Sequence, residues 1–332
     1  MATYYDIFGQ KVQYLSSDPS DVQIGQVWYN STSNTAKVQG ATASGVWSAG
    51  GTYPINGTNI SGAGPQTAAI AFGARVYPGP NGPTNVSNTY DGSSWTATPP
   101  INTSRSNSGS AKNGSQTAAL MIAGNTGGGG TETNVCEEYN GSTWASVNNY
   151  PVSAREHDQG TGIQTLALCS AGYTGSYITT TCTYDGVNWT ALGSPSNMNG
   201  ARFSGTTCGT QTAAIMFGGT SPTGVNVESW NGSTWSEEAA SFNTPRNAGG
   251  SAGTSTNAVF FGGEPTGNGA ATETWDGTSF ATTGSMATPR YSMASNGTAL
   301  AALCTGGSGA GENTTEEFTG AGSPETQTIT TS

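Results

Sequence analysis

Residues 228–236 read ESWNGSTWS, and variants of that phrase return along most of the chain: YDGSSW at 90–95, YNGSTW at 139–144, YDGVNW at 184–189, WNGSTW at 230–235 and WDGTSF at 275–280. Their closing aromatics, Trp95, Trp144, Trp189, Trp235 and Phe280, are spaced 45 to 49 residues apart. An apolar run precedes each phrase: QTAAIAFG (66–73), QTAALMIAG (116–124), QTLALCSAG (164–172), QTAAIMFGG (211–219) and NAVFFGG (257–263), with a sixth copy at ALAALCTGG (299–307). Two signals repeating in step require a fold made of copies of one unit, each too small to bury its apolar surface alone.

The chemistry of one unit predicts its structure. Asn-Gly or Asp-Gly between aromatic and β-prone residues is the strongest short hairpin signal, because both turn residues tolerate positive φ. With Asn231 and Gly232 as the turn, Trp230 faces Ser233 and Trp235 faces Glu228, which puts both indoles on one side of the hairpin. The upstream runs have no polar alternation, as expected of strands buried on both faces. Glycine- and serine-rich segments such as ARFSGTTCG (201–209) supply an innermost strand. Four antiparallel strands per period, with an aromatic face that must stack on the next copy, predict an all-β propeller of four-stranded blades.

Composition narrows the function. Charged residues are 9% of the chain against about 25% in typical domains, so Ser, Thr, Asn and Gly must coat the surface. The formal charge is −11 and the nine Lys and Arg are scattered, which excludes a surface that tracks phosphates and therefore nucleic acid as a partner. The start, MATYYDIFGQKVQYL, has no cationic segment leading into an apolar one, and nowhere do about 18 apolar residues run together, so neither a Sec-type signal nor membrane insertion is expected. Cys136, Cys169, Cys182, Cys208 and Cys304 lack zinc-site spacing and sit in strand-like runs, where they read as buried thiols. Cys169 and Cys182 could face one another on neighbouring strands, and one disulfide between them is the alternative to buried thiols. Triplets such as Asn140-Gly-Ser and Asn231-Gly-Ser read as turns rather than glycan acceptors.

The segment TPRNAGGSAGTSTNAVFFGGEPTGNGAATETWDGTSF (244–280) has a Pro-Arg, an apolar strand ending Gly-Gly, then an aromatic and a closing ring, in the order found in kelch repeats. The resemblance to the kelch family spans about residues 48–320 and implies a kelch-like β-propeller. It departs from the pattern at Ala123-Gly124 and Ala171-Gly172 in place of Gly-Gly, and at Phe280 in place of Trp. Length divided by the period favours seven blades, with residues 1–47 as a divergent first blade and 48–332 as the propeller repeats. The alternative is six blades, closed when the strand around Trp47 joins the last one, with the N-terminal residues forming an attachment arm. GQVWYNSTSNTAKV (25–38), after LSSDPSDVQ, is similar to a short hairpin module near the start of tailed-phage virion and fibre proteins. Together these features resemble kelch-like proteins of marine tailed bacteriophages. That resemblance implies a non-enzymatic structural protein, made in the host cytoplasm and carried on the virion exterior as part of the tail, a fibre or a capsid decoration. Its expected partners are other virion proteins and host-surface polysaccharide. A bacterial kelch-like adaptor is the second reading and a propeller glycan hydrolase the third.

Catalytic readings find little to use, and no cofactor or metal is expected. A copper site of the galactose-oxidase kind needs two histidines, and His157 is alone. Asp91-Gly92, Asp185-Gly186 and Asp276-Gly277 superficially resemble the sialidase Asp box, in which one residue separates Asp from Gly. Asp158 is the immediate neighbour of His157 and would normally point elsewhere, and no nucleophile elbow follows a strand. GNTGGGGTE (124–132) lacks the Lys-Ser/Thr of a phosphate loop. Glu137, Glu138, Glu228, Glu273, Glu316 and Glu317 recur near the hairpin aromatics and read as solvated strand residues. Arg105, Arg155, Arg202, Arg246 and Arg290 occupy one repeated place before the apolar strand. They either bond loop carbonyls between blades or form a ring of donors at one mouth of the channel. The loops after the Gly-Gly strands vary most and carry Arg75, Tyr77, Tyr173 and Tyr177, which makes that face the expected binding face.

Overall fold

The computed structural model describes residues 12–22, 25–41, 44–76, 82–127, 131–153, 159–220, 226–265, 267, 269–309, 311–322 and 324–329. They divide into two compact units: Val46–Phe318, and the chain ends Met1–Gly45 with Thr319–Ser332.

The larger unit is all β, with strands gathered into sheets of four in a propeller-like succession of blades. Sheet A runs from a split inner strand (Gly57–Thr58 and Ser61–Ala63) through Ala69–Val76 and Pro83–Tyr90 to Trp95–Ala97. Sheet B comprises Gly109–Ser110, Ala119–Asn125, Glu132–Tyr139 and Trp144–Val147. Sheet C is Gly160–Ile163, Leu166–Ser170, Thr181–Tyr184 and Trp189–Ala191. Sheet D is Thr206–Gly209, Ala214–Phe217, Val227–Trp230 and Trp235–Glu237, and sheet E is Gly250–Gly253, Ala258–Phe261, Thr272–Trp275 and Phe280–Thr282. Sheet F takes Ala294–Thr298, Ala301–Thr305 and Thr315–Thr319 from the end of the repeats and Val46–Ala49 from their beginning. The strand that contains Trp47 thus pairs with the last strand of the repeats in sheet F.

The apolar runs become the second strands and are buried over most of their length, wholly so in Ala119–Asn125 and Ala258–Phe261. Together with rings of the hairpins they fill the spaces between successive sheets: Phe72, Met121 and Trp144 between A and B, Leu168, Met216 and Trp235 between C and D, Phe261, Met293 and Phe318 between E and F. The five cysteines are buried, with Cys169 directly opposite Cys182.

The repeated phrases form hairpins with a register that differs from the two-residue turn expected. Trp230 pairs with Trp235 itself, and Tyr90, Tyr139, Tyr184 and Trp275 likewise pair with Trp95, Trp144, Trp189 and Phe280. The side chain at the first turn position explains the wider loop. Asn231 Oδ1 accepts the backbone N–H of both Ser233 and Thr234 at 2.9 Å, an Asx turn that keeps four residues in the loop. Asp91 and Asp276 make the same turn and also accept from side-chain hydroxyls. These bonds hold both carboxyls well below the usual range, that of Asp276 at about 2. The facing rings lie 4.7–5.5 Å apart between centroids.

In the terminal unit, Val27–Asn30 and Thr35–Ala41 form an antiparallel hairpin, flanked by Gln13–Leu15 in parallel and Pro324–Ile329 in antiparallel pairing. Asp18 accepts from Lys37 Nζ at 2.5 Å, Asn30 Nδ2 at 2.8 Å and Trp28 Nε1 at 2.9 Å, and these donors pull its carboxyl down to about 2. Tyr14 stacks on Tyr29 at 5.1 Å.

Candidate functional site

Three repeated side-chain devices use up most of the polar groups that the sequence offers. The first ties each sheet to the one before it. Trp144 Nε1 donates to Ser87 of sheet A at 3.3 Å, Trp235 to Thr181 of sheet C at 2.9 Å and Trp47 to Thr272 of sheet E at 3.0 Å. Trp95 of sheet A donates to Thr315 of sheet F at 2.9 Å. The acceptor always lies three residues before the hairpin's first aromatic. At that place sheet D has Val227, and the ring that faces it is Phe280, so donor and acceptor are lost together. Sheet B has Cys136 there, and Trp189 meets its sulfur instead of an oxygen.

The second device is a buried ion pair. Arg105 donates to Glu137 at 2.8 Å and Arg246 to Glu273 at 2.9 Å, and Arg202 and Arg290 pair in the same way with Glu228 and Glu316. Each glutamate also accepts backbone N–H groups of the linker entering its sheet, as Glu273 does from Asn243 at 2.7 Å and Glu316 from Ala287 at 2.7 Å. The four glutamates are 0–3% exposed, which corrects their reading as solvated strand residues. Of the two carboxylates in each Glu-Glu pair, the one with its side chain turned inward meets the arginine. These arginines are at most 1% exposed and spend their guanidinium groups on this pair and on carbonyls such as Val135, Gly218 and Thr314. They act as clamps, not as donors displayed at a channel mouth. Burial pulls the guanidinium pKa of Arg105, Arg202 and Arg246 down, and the paired glutamate pushes it back up. Arg155 lies outside the described residues.

The third device was not read from the sequence, although its signal was the QT that opens the apolar runs. Gln66, Gln116, Gln164 and Gln211 sit in the turn between the first and second strands. Each donates its Nε2 to two carbonyls of the preceding sheet. Gln116 reaches Ala69 O at 3.1 Å and Tyr90 O at 2.6 Å, and Gln211 reaches Ala167 O at 3.1 Å and Tyr184 O at 2.6 Å. Gln164 bonds Ala119 and Tyr139, and Gln66 bonds Ala302 and Phe318 of sheet F.

The predicted recognition residues have different settings. Tyr77 lies outside the described residues, and Arg75 is half-buried at the end of its strand, opposite Thr58 and Pro83. Tyr173 and Tyr177 are brought together by an isolated bridge, with ring centroids 5.8 Å apart, and Phe203 stands 5.9 Å from Tyr173. Tyr177 is 41% exposed. Backbone bonds Gly172 N to Arg202 O (3.0 Å) and Arg202 N to Ile178 O (3.3 Å) fix this loop of sheet C to the segment entering sheet D. The result is an aromatic ledge spanning two sheets on the side opposite the hairpins.

The hairpin side carries concavities that the sequence did not indicate. Four clefts of about 140 to 280 Å³ share Asn113, which follows the inner strand of sheet B. Lys112, which lines one of them, crosses with its Nζ from sheet B to Thr206 of sheet D at 2.8 Å and Ser295 of sheet F at 3.2 Å. The exposed Ile163, Leu166 and Leu300 rim the clefts. A scan against models of protein families finds no match to this chain, and a search of curated proteins finds none either.

Proposed function

We propose that Val46–Phe318 is a six-bladed kelch-like β-propeller that recognises a partner and does no catalysis, borne on the exterior of a tailed-phage virion. Its ligand is a host-surface glycan or a neighbouring virion protein. The observation that carries the recognition reading is the division of labour among side chains. Arginine, glutamate, glutamine and tryptophan of the repeat are committed to bonds within and between sheets, while Tyr173 and Tyr177 stand together on an irregular loop. Paired tyrosine rings fit the flat faces of sugars, and their hydroxyls can bond to a sugar's own. Blade number is supported by two bridges from sheet A to sheet F, through Trp95 and through Gln66, and by the return of Val46–Ala49 to sheet F. The virion assignment rests on the resemblance of residues 25–38 to the phage hairpin module.

The test is binding of the purified protein to host cells and to envelope glycans, with Tyr173→Ala and Tyr177→Ala compared at equal folded fraction. Loss of binding by either variant is expected. Unchanged binding by both would refute the ledge as the recognition surface.

A further inference from the structure

Val46–Phe318 contains seven Lys and Arg against sixteen Asp and Glu. Four of the seven are the clamp arginines, each at most 1% exposed and bound to a glutamate. Lys112 is buried and Arg75 half-buried, so among the described residues of this unit no lysine or arginine is exposed. The carboxylates are distributed differently. Asp91, Asp185, Glu237 and Asp276 are exposed, and Glu264 and Glu312 partly so. The surface that meets a ligand is therefore one of hydroxyls, amides and carboxylates.

The tyrosine ledge sits in an uncharged stretch of that surface. A bridge repeated from sheet to sheet pairs the residue after a clamp arginine with the residue after the closing glycine of the apolar run: Ser106 with Asn125, Phe203 with Thr220, Asn247 with Glu264 and Tyr291 with Ser308. In sheet C, Tyr173 follows Gly172 in the second of those places. Asn125, Tyr173, Thr220, Glu264 and Ser308 are thus equivalent, and a charge enters only at sheet E, two sheets beyond the ledge. The ledge loop, GYTGSYITT (172–180), has no Asp, Glu, Lys, Arg or His, and it exposes Thr174 and Ser176 between the two tyrosines. Arg202, which precedes Phe203, commits its guanidinium to Glu228 and to the carbonyls of Gly218 and Asn226.

We infer that the ledge takes an electrically neutral glycan, a chain of hydroxylated sugars without carboxylate, sulfate or phosphate groups, and turns acidic polysaccharide away. The inference rests on the ledge being the recognition surface and adds its selectivity. A sugar carboxylate laid on these rings would give up water for a surface with no ammonium or guanidinium to replace it, and an anion desolvated without a partner is far costlier than a hydroxyl. The excess of carboxylates on the unit adds repulsion at low salt. An uncharged sugar gives up less. Its C–H face covers the tyrosine rings, and its hydroxyls exchange water for those of Thr174 and the tyrosines.

The probes are the envelope polysaccharides of host cells, separated on an anion exchanger into a neutral and an acidic fraction, and binding of the full-length protein to each is followed by biolayer interferometry. The neutral fraction is expected to bind, to lose binding in Tyr177→Ala, and to change affinity by less than about twofold between ~20 mM and ~500 mM salt, a range over which screening of exposed charges rises steeply. The acidic fraction is expected to bind at least tenfold more weakly. Ser176→Lys places a cation between the two tyrosines and should admit the acidic fraction at low salt, with the gain lost at high salt. Equal or tighter binding of the acidic fraction, abolished by Tyr177→Ala, would overturn the selectivity and leave the ledge as the recognition surface. No gain by folded Ser176→Lys would overturn the claim that charge makes the choice. Binding that Tyr173→Ala and Tyr177→Ala both leave unchanged would instead refute the ledge itself, and binding to neither fraction would overturn both.

Discussion

Replacing Thr181 with Val tests the bond that links neighbouring sheets. Thr181 is 0% and Trp235 4% exposed, and the 2.9 Å bond between them spans sheets C and D. Valine keeps the shape of threonine and removes the acceptor. The indole N–H then stays buried without a partner, at a cost of about 1–3 kcal/mol. Trp235→Phe removes the donor but also leaves a void, so its own cost mixes two effects. The double variant separates them, because with both partners gone no polar group is left unmet. The two substitutions together should therefore cost about 1–2 kcal/mol less than their separate costs added. Urea titration followed by far-ultraviolet circular dichroism gives the free energies, provided that all four proteins share one m-value. Costs that add to within about 0.3 kcal/mol would refute the bond as a source of stability. The contact between sheets D and E supplies the converse test. Val227→Thr places a hydroxyl opposite Phe280, which cannot donate to it, and should also destabilise.

Two further outcomes follow from the clamps and turns. Arg246→Met leaves Glu273 buried without its guanidinium partner and should cost about 3–5 kcal/mol, read from the same titration; a loss below about 1 kcal/mol would mean that the pair is idle. The carboxyl of Asp276 is lowered to about 2 by its turn hydrogen bonds. Because its folded pKa is depressed, the stability it contributes is present above the ordinary Asp range and is lost as pH falls toward 2. Asp276→Asn, which copies the turns at Asn140 and Asn231, should flatten the fall in unfolding midpoint between pH 4 and about pH 2, and an unchanged slope would count against it.

The repeat made the strands legible because its two signals, an apolar run and an aromatic hairpin, both follow from local chemistry. Burial of the apolar runs on both faces was readable from the lack of alternation in segments such as ALMIAGN. Hairpin register was not. Asn-Gly is compatible with a two-residue turn, and the choice of four residues lies with hydrogen bonds from Ser233 and Thr234 to Asn231 Oδ1. Long-range roles were the least visible. The Arg202 and Glu228 positions are 26 residues apart, and nothing in either neighbourhood shows that the strand twist will bring them together. The loops after the second strands were readable only as irregular: that Tyr173 and Tyr177 meet depends on backbone bonds to the segment entering sheet D.

The exceptions to the repeat differ in what they leave behind. Sheet A has Gly57 in the arginine position and Asn88 in the glutamate position, so it lacks both halves of the ion pair. Sheets D and E lose a hydroxyl and an indole together at Val227 and Phe280. In both cases the partners vanish as a pair, and no buried charge or N–H of that device is stranded, which is the cheap way to depart from a polar network. Ala299 is a departure of the other kind, since backbone carbonyls cannot be deleted along with the side chain that bonds them. It stands in sheet F where sheets A to D have their glutamine, and the two bonds that Gln211 makes to Ala167 O and Tyr184 O in the sister turn have no counterpart from the methyl of Ala299, a loss confined to one side chain.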